Sequence, residues 1–164
     1  MTVGKTSRKV GTRTDPVYLV RMQVSFALFA DAANLSQEGK LNILGVFDAV
    51  HVGQFPALHP RATFVVRLKG SPTDIGSHDM TLQWVNPRGN VLWSSSAELA
   101  IQAPPAQTGE MDMPVIVQID LPLDVVGDYA MVVDLDGTRH GEALLHVRAG
   151  APVSLPIPGS SLVS

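Results

Sequence analysis

Apolar and polar residues alternate with a period of two along most of the chain, and the helical period of 3.6 residues is nearly absent. The alternation is clear at the start, where Met22, Phe26 and Leu28 share one parity and Gln23 and Ser25 have the other. Such a period places successive side chains on opposite faces of a β-strand. It predicts strands over residues 22–32, 42–52, 61–69, 79–86, 91–101, 113–121, 129–135 and 143–148.

Segments rich in glycine, proline and polar residues separate these predicted strands, as turns and loops do. The clearest are residues 53–60, 70–77 and 102–112. Many short strands without a long helix predict an all-β fold. We expect residues 22–149 to form one immunoglobulin-like antiparallel β-sandwich of about eight strands, with a β-barrel as the alternative.

The turn sequence at residues 87–90 predicts a hairpin that brings two tryptophans together. Pairing the flanking strands around this turn places Trp84 directly opposite Trp93. A pair of tryptophans can serve as a stacking platform for a sugar or a base, or it can pack in a core. Because the same strand face also carries Met80, Leu82 and Leu99, the pattern favours the core.

A second hairpin is predicted at Asp136-Gly137, which is a strong signal for a tight turn. Regular pairing beyond this turn would place Glu142 on the apolar face, and a bulge near Gly141 avoids that. The preceding strand begins at Tyr129, after a glycine and an aspartate. This arrangement is typical of the corner where a tyrosine hydroxyl binds a nearby backbone group.

Two segments near the start, FALFADAAN at 26–34 and GKLNILGVFD at 39–48, resemble a bacterial family that is known only as a domain of unknown function. Phe55-Pro56, His59-Pro60, the glycine–aspartate–tyrosine at 127–129 and Asp136-Gly137 fit the same pattern. The resemblance covers residues 22–148 and implies a small bacterial β-sandwich protein. It implies no activity and therefore no functional residues. Members of the family start at the equivalent of Met22.

The composition removes several classes of function. The chain of 164 residues has no cysteine, and 16% of its residues are charged. Disulfides, thiol catalysis and thiolate metal sites are therefore excluded. No apolar run approaches the roughly 18 residues of a membrane-spanning helix. No stretch is typical of a secretory signal, so we expect a cytoplasmic protein.

The two ends of the chain differ from the body. Residues 150–164 form a proline-rich tail, and residues 1–21 form a basic leader that we expect to be disordered. The leader's cationic residues are dispersed and have no aromatic residues among them, so nucleic-acid binding is not expected. The leader has one acidic residue, Asp15. Its basic residues are Lys5, Arg8, Lys9, Arg13 and Arg21.

Motifs of catalysis and cofactor binding are absent from the sequence. It has no G-x-S-x-G, no H-E-x-x-H and no P-loop. The histidines lack the spacing of paired metal ligands. Aspartates are frequent in residues 120–136. The aspartates near residues 124–128 and Asp136 are predicted to lie at opposite ends of a strand, so a shared calcium-binding site is not favoured. We predict no catalytic residue, no cofactor and no metal.

Asp31 and Asp48 are the candidate polar site, because both lie in strands that are otherwise apolar. A hairpin around residues 34–40 would bring them near each other. Two half-buried carboxylates can perform acid–base chemistry. Alternatively, each carboxylate accepts backbone N–H groups and shapes a loop. The structural role is favoured, because no nucleophile or base lies close in sequence.

These observations leave three classes of function open. A non-enzymatic protein-interaction or assembly module fits best, because the chain combines low charge with many strands. The alternatives are a domain that binds a small ligand or a polysaccharide and an enzyme with a site around Asp31 and Asp48. We expect a homo-oligomer through an edge strand or a sheet face, and residues 113–121, which include Ile116 and Gln118, are the first candidate.

Overall fold

The computed structural model describes residues 22–103 and 110–151, and these form nine strands and one short 3-10 turn. The all-β fold predicted from the sequence is therefore confirmed. The turn is Pro72–Asp74, and the strands are β1 Gln23–Leu35, β2 Leu41–Phe47, β3 Ala49–Val52, β4 Ala57–Gly70, β5 Gly76–Val85, β6 Val91–Ile101, β7 Met111–Leu123, β8 Gly127–Leu135 and β9 Thr138–Ala149.

The strands form two sheets that pack face to face as an immunoglobulin-like β-sandwich. One sheet has the order β2-β1-β4-β7 and the other β3-β9-β8-β5-β6. In the described part of the chain the two sheets stay separate, so the alternative of a closed barrel is wrong. The pairing is antiparallel throughout, except that β3 runs parallel to β9.

Large aromatic side chains fill the space between the sheets. Trp84 of β5 stacks on Tyr129 of β8 with ring centroids 5.1 Å apart. Phe29 of β1 meets the edge of Trp84 from the other sheet, with centroids 5.9 Å apart. Phe64 of β4 lies 5.1 Å from Phe29. All four residues are at most 1% exposed, so they form the centre of the core.

The predicted single strand over residues 42–52 is wrong, because the chain changes sheet in its middle. A bend at Asp48 separates β2, which pairs with β1, from β3, which pairs with β9. The Asp48 carbonyl accepts the amide of His146 at 2.7 Å and so begins the parallel ladder. Period-two alternation continues across such a bend, so the pattern indicates a strand on both sides without revealing the change of sheet.

Both predicted hairpins are present in the predicted register. Trp84 lies directly opposite Trp93. The second hairpin turns at Asp136-Gly137, and its register shifts by one residue between Val133 and Asp134. This bulge points Glu142 to the exposed outer face, as the sequence predicts. Gly141 lies there against Val24, and a Cβ atom at residue 141 would be 3.2 Å from the valine side chain.

The strand predicted at residue 61 begins earlier, at Ala57, and includes Pro60. Pairing with β7 is irregular between His59 and Ala62, and a proline is tolerated at such a bulge. Arg61 has a positive φ of 55° there, and its amide donates to the Asp120 carboxylate at 2.8 Å. A side chain from the neighbouring strand therefore stabilises the irregular backbone.

The basic leader and almost all of the proline-rich tail lie outside the described residues. No helix in the part that the structure describes is long and apolar enough to cross a membrane.

Candidate functional site

The structure does not bring Asp31 and Asp48 together as a pair of half-buried carboxylates. Both residues are exposed. The β1–β2 register places Asp31 between Ala30 and Ala32, whose partners are Val46 and Leu44, so Asp31 faces Gly45. Gly45 has a φ of +67°, and a Cβ atom built on it would be 2.1 Å from the Asp31 carboxylate. A glycine is therefore required where the Asp31 side chain crosses β2.

The two tryptophans differ, although they lie opposite each other. Trp84 is completely buried, and its indole N–H donates to the Pro122 carbonyl at 2.9 Å. Trp93 is only half-buried on the edge strand β6, and its indole nitrogen has no hydrogen-bond partner among the described residues. The prediction of a cross-strand pair is confirmed, but full burial holds for Trp84 alone. Trp93 packs against the core as a partly covered rim residue.

Tyr129 forms the predicted corner between β7 and β8. Its hydroxyl lies 2.9 Å from the amides of Asp124 and Val125, 2.6 Å from the Asp124 carboxylate and 2.8 Å from the Val125 carbonyl. The hydrogen bond from Tyr129 lowers the pKa of Asp124, and a bond from Asn86 adds to this effect against the opposing effect of burial. These contacts give both Tyr129 and Asp124 a structural role.

His78 links the 3-10 turn to the β8–β9 hairpin beside a cleft of about 280 Å³. Its Nδ1 lies 2.7 Å from the Asp136 carboxylate, and its Nε2 lies 2.9 Å from the Asp74 carbonyl. Both partners are acceptors, so both bonds require the protonated imidazolium. The Asp136 hydrogen bond raises the pKa of His78, and the Asp74 carbonyl contributes in the same direction against a lowering by burial.

Asp128 and Asp136, two aspartates of the last third, also have structural partners of this kind. Asp136 accepts from His78 and from the Asp79 amide, whereas Asp128 binds His146 and Arg148 on the outer face of β8 and β9. Within the described residues, no three acidic or histidine side chains form a group that could hold a metal ion.

The most exposed large apolar side chains of the described residues lie on β2. Leu44 is 72% exposed and Val46 is 61% exposed. Leu35, on the neighbouring β1, is 49% exposed. Leu35 pairs with Leu41 and so lies on the other face of the hairpin from Leu44 and Val46. We call Leu44 and Val46, which share one face of β2, the hairpin patch. An exposed cluster of this kind marks a contact site more often than a single exposed leucine does.

The hairpin of β1 and β2 separates from the rest of its sheet at Ala30. β1 pairs with β4 only as far as Ala30, and from there to Leu35 it pairs with β2 alone. The Thr63 hydroxyl of β4 donates to the Asp31 carbonyl at 3.2 Å, where the two strands part. The hairpin tip at Lys40 borders the same cleft as Pro114 of β7. The patch therefore lies on a hairpin that leaves β4 at Ala30 and whose tip borders side chains of β4 and β7.

The pattern of apolar and polar residues does not single out the hairpin patch as a candidate site. Alternation predicts one apolar face on each strand, but it does not show whether another element covers that face. The available signal was the composition of LNILGVF at 41–47, which contains no charged residue and no proline. Natural edge strands usually carry such protecting residues.

A model of the family described as a family of unknown function (DUF6941) matches residues 25–148. No curated protein matches the sequence. Among solved structures, an alkylpurine DNA glycosylase of Pseudomonas fluorescens, bound to DNA with an abasic-site analogue, is 10% identical with a TM-score of 0.38. That match covers 79% of this chain and 31% of the glycosylase chain, so this chain spans under a third of its length.

A second similar structure is an immunoglobulin-like protein of Pseudomonas aeruginosa. It is 12% identical with a TM-score of 0.36, and the match covers 80% of this chain and 99% of that one.

Proposed function

The chain belongs to this family of unknown function, and we propose that it is a non-enzymatic protein-interaction module that binds through the β1–β2 hairpin. The observation that carries the proposal is the exposure of Leu44 and Val46, at 72% and 61%. Removing apolar area from water is the main driving force of protein association. A partner that covers these side chains would gain this free energy without any rearrangement of the core.

The outer face of the other sheet gives a contrast that supports this assignment. Thr81 of β5 and Ser96 of β6 share a hydrogen bond of 2.8 Å there. On β8 and β9 the same face carries the hydrogen bonds of Asp128 with His146 and Arg148. Polar groups that already bind one another on a solvated face have less to gain from a protein partner.

The two other classes of function receive less support from the geometry. An enzyme around Asp31 and Asp48 would need a shared site, and Asp31 instead packs over Gly45. A carbohydrate-binding platform would need exposed aromatic rings, and Trp84 is completely buried. No observation supports either of these classes as directly as the exposure of the hairpin patch supports a protein-interaction module.

Photo-crosslinking in cells that naturally produce the protein tests the proposal. Benzoylphenylalanine replaces Leu44 in one variant and Leu144 in a matched control, since Leu144 is a 47% exposed leucine on β9. We expect a discrete crosslinked protein from position 44, identified by mass spectrometry, and none of the same mass from position 144. A second copy of this chain as the crosslinked protein also supports the proposal.

Two results would contradict it. One is the absence of any crosslinked protein from position 44. The other is the same set of products from both positions, which would indicate collisions rather than a site. Circular dichroism of both purified variants establishes that they fold before the comparison is made.

A further inference from the structure

The sandwich has four edge strands, and they differ in how well they are protected against pairing. β7 carries Pro114 and Pro122, which lack an N–H group, and two aspartates. β6 carries Glu98, and β3 has only four residues. β2 has seven residues, LNILGVF, without a charge or a proline. Prolines, charges and short length are the usual protections, so β2 is the open edge of the described structure.

These features favour β2 as the pairing edge, whereas the sequence favoured residues 113–121. Residues 113–121 do lie in an edge strand, β7, as Pro114 indicates. However, Asp112 of β7 forms an ion pair with Arg67, and Asp120 binds the Arg61 amide. Ile116 is only half-buried, so the strand is not fully covered, but its two prolines interrupt the row of backbone donors.

We propose that β2 pairs antiparallel with β2 of a second copy of this chain, around a two-fold axis at Leu44. This inference rests on the proposed function and names the partner of the same surface. Two-fold pairing uses one surface twice, so a strand that is complementary to itself is sufficient. It would join the two four-stranded sheets into one sheet of eight strands and satisfy the open backbone groups of both edges.

The charges that flank β2 favour a second copy as the occupant. In the register centred on Leu44, Lys40, just before β2, would lie near Asp48 of the other copy, at the bend just after β2. The same proximity would occur at both ends of the paired strands. Both residues are exposed, and Lys40 has only its highly exposed neighbour Glu38 as an ion-pair partner among the described residues. The register thus places opposite charges together and no like charges face each other.

The apolar side chains fit the same register. Leu44 lies opposite Leu44 of the second copy, and Val46 lies opposite Asn42. All of them are on the exposed face of β2. Gly45, with its positive φ, does not shift the strand, because β2 keeps one register with β1 on both sides of it. β2 therefore keeps the same alternation of faces on both sides of Gly45.

Disulfide trapping tests this geometry directly, because the chain has no cysteine of its own. In the full-length protein, Leu44→Cys places one thiol per copy at the two-fold axis, where Cα atoms of paired residues are about 4.5–5.5 Å apart. That separation is within the range that a disulfide spans. We expect most of the protein to become a covalent dimer under mild oxidation.

Asn42→Cys is the matched control, since it lies on the same face two residues away. In the proposed register the two thiols of this variant are about 13 Å apart, because four residues of strand separate them. We expect less than a tenth of the crosslinking of Leu44→Cys. Combining Asn42→Cys on one copy with Val46→Cys on the other should restore crosslinking, because these positions are opposite each other.

A charge exchange gives a second measurement, made by sedimentation equilibrium on chains without cysteine. Lys40→Asp places two pairs of aspartates opposite each other and should weaken the dimer about tenfold, the combined effect of two exposed charge pairs. The double variant Lys40→Asp with Asp48→Lys should restore most of the affinity.

Outcomes that overturn the inference are distinct from those that overturn the proposed function. One such outcome is a wild-type protein that stays strictly monomeric over a roughly 100-fold range of concentration up to about 1 mM. This result excludes the second copy but leaves crosslinking from position 44 to another protein intact. A dimer that crosslinks as well through Asn42→Cys alone excludes the register. Loss of all crosslinking from position 44 excludes both proposals.

Discussion

The centre of the sandwich and the β1–β2 hairpin use similar residues for opposite purposes. In the centre, Trp84 and Tyr129 are completely buried, and the indole and the hydroxyl both have hydrogen-bond partners. In the hairpin, Leu44 and Val46 are largely exposed, although they belong to a strand of the same alternating pattern. Apolar residues in a strand therefore do not by themselves indicate burial.

This contrast predicts which property each kind of substitution should change. A change in the centre removes packing and hydrogen bonds that exist within one chain, so it should lower the free energy of unfolding. A change in the hairpin patch removes little within the chain, so it should affect association and leave stability almost unchanged.

Trp84→Ala should reduce the free energy of unfolding by about 3–5 kcal/mol, the usual range for a buried tryptophan. The variant loses the stacking on Tyr129 and the hydrogen bond to Pro122. Trp93→Ala, directly opposite, should cost clearly less because Trp93 is half-buried and its N–H has no partner among the described residues. Urea denaturation measures both, and equal costs would contradict the contrast between the two tryptophans.

Tyr129→Phe should cost about 1–3 kcal/mol, because it leaves the amides of Asp124 and Val125 without their buried acceptor. It should also raise the pKa of Asp124 toward its ordinary value, since the tyrosine bond is the main cause of the lowering. Thermal unfolding and an NMR titration of Asp124 measure the two effects. Thr81→Val, which removes a surface hydroxyl, is the control, and an equal loss of stability there would contradict the corner's special role.

His78 should make the stability of the body depend on pH. Its pKa is raised in the folded state, mainly by Asp136, so protonation favours folding. The stabilisation is complete below the pKa of the unfolded chain, near 6.5, and is lost as the pH rises through the folded pKa. The pKa of Asp136 is lowered by the same bond, so its contribution is present above the ordinary aspartate range and is lost as the pH falls.

His78→Gln should therefore flatten the stability profile across the neutral range. Denaturation midpoints at half-unit steps from pH 5 to 9 check this. A wild-type slope in the His78→Gln variant would show that another group causes it.

Leu44→Lys should change the free energy of unfolding by less than about 0.5 kcal/mol, as substitutions at exposed positions usually do. It should nevertheless abolish association through the hairpin, because a lysine on an edge strand opposes pairing. Leu144→Lys on the other sheet should leave association intact. A fall in stability comparable to that of Tyr129→Phe would mean that the hairpin patch packs within its own chain.

Local pattern was sufficient for much of this fold. The PRGN turn at 87–90 and the alternation around it placed Trp84 opposite Trp93, because the register of a short hairpin depends only on its turn and the adjacent residues. The same reasoning located the Asp136-Gly137 turn, the bulge before Gly141 and the Tyr129 corner. These features are determined by residues close together in the chain.

Only the tertiary structure decided which strands are neighbours. Alternation could not show that residues 42–52 divide at Asp48 between two sheets, or that β2 ends at an open edge. It also could not show that Asp31 faces Gly45 rather than Asp48. A period of two assigns a side chain to one of two faces, but what covers that face is set by strand order, which depends on contacts between distant residues. The exposure of Leu44 follows from that order.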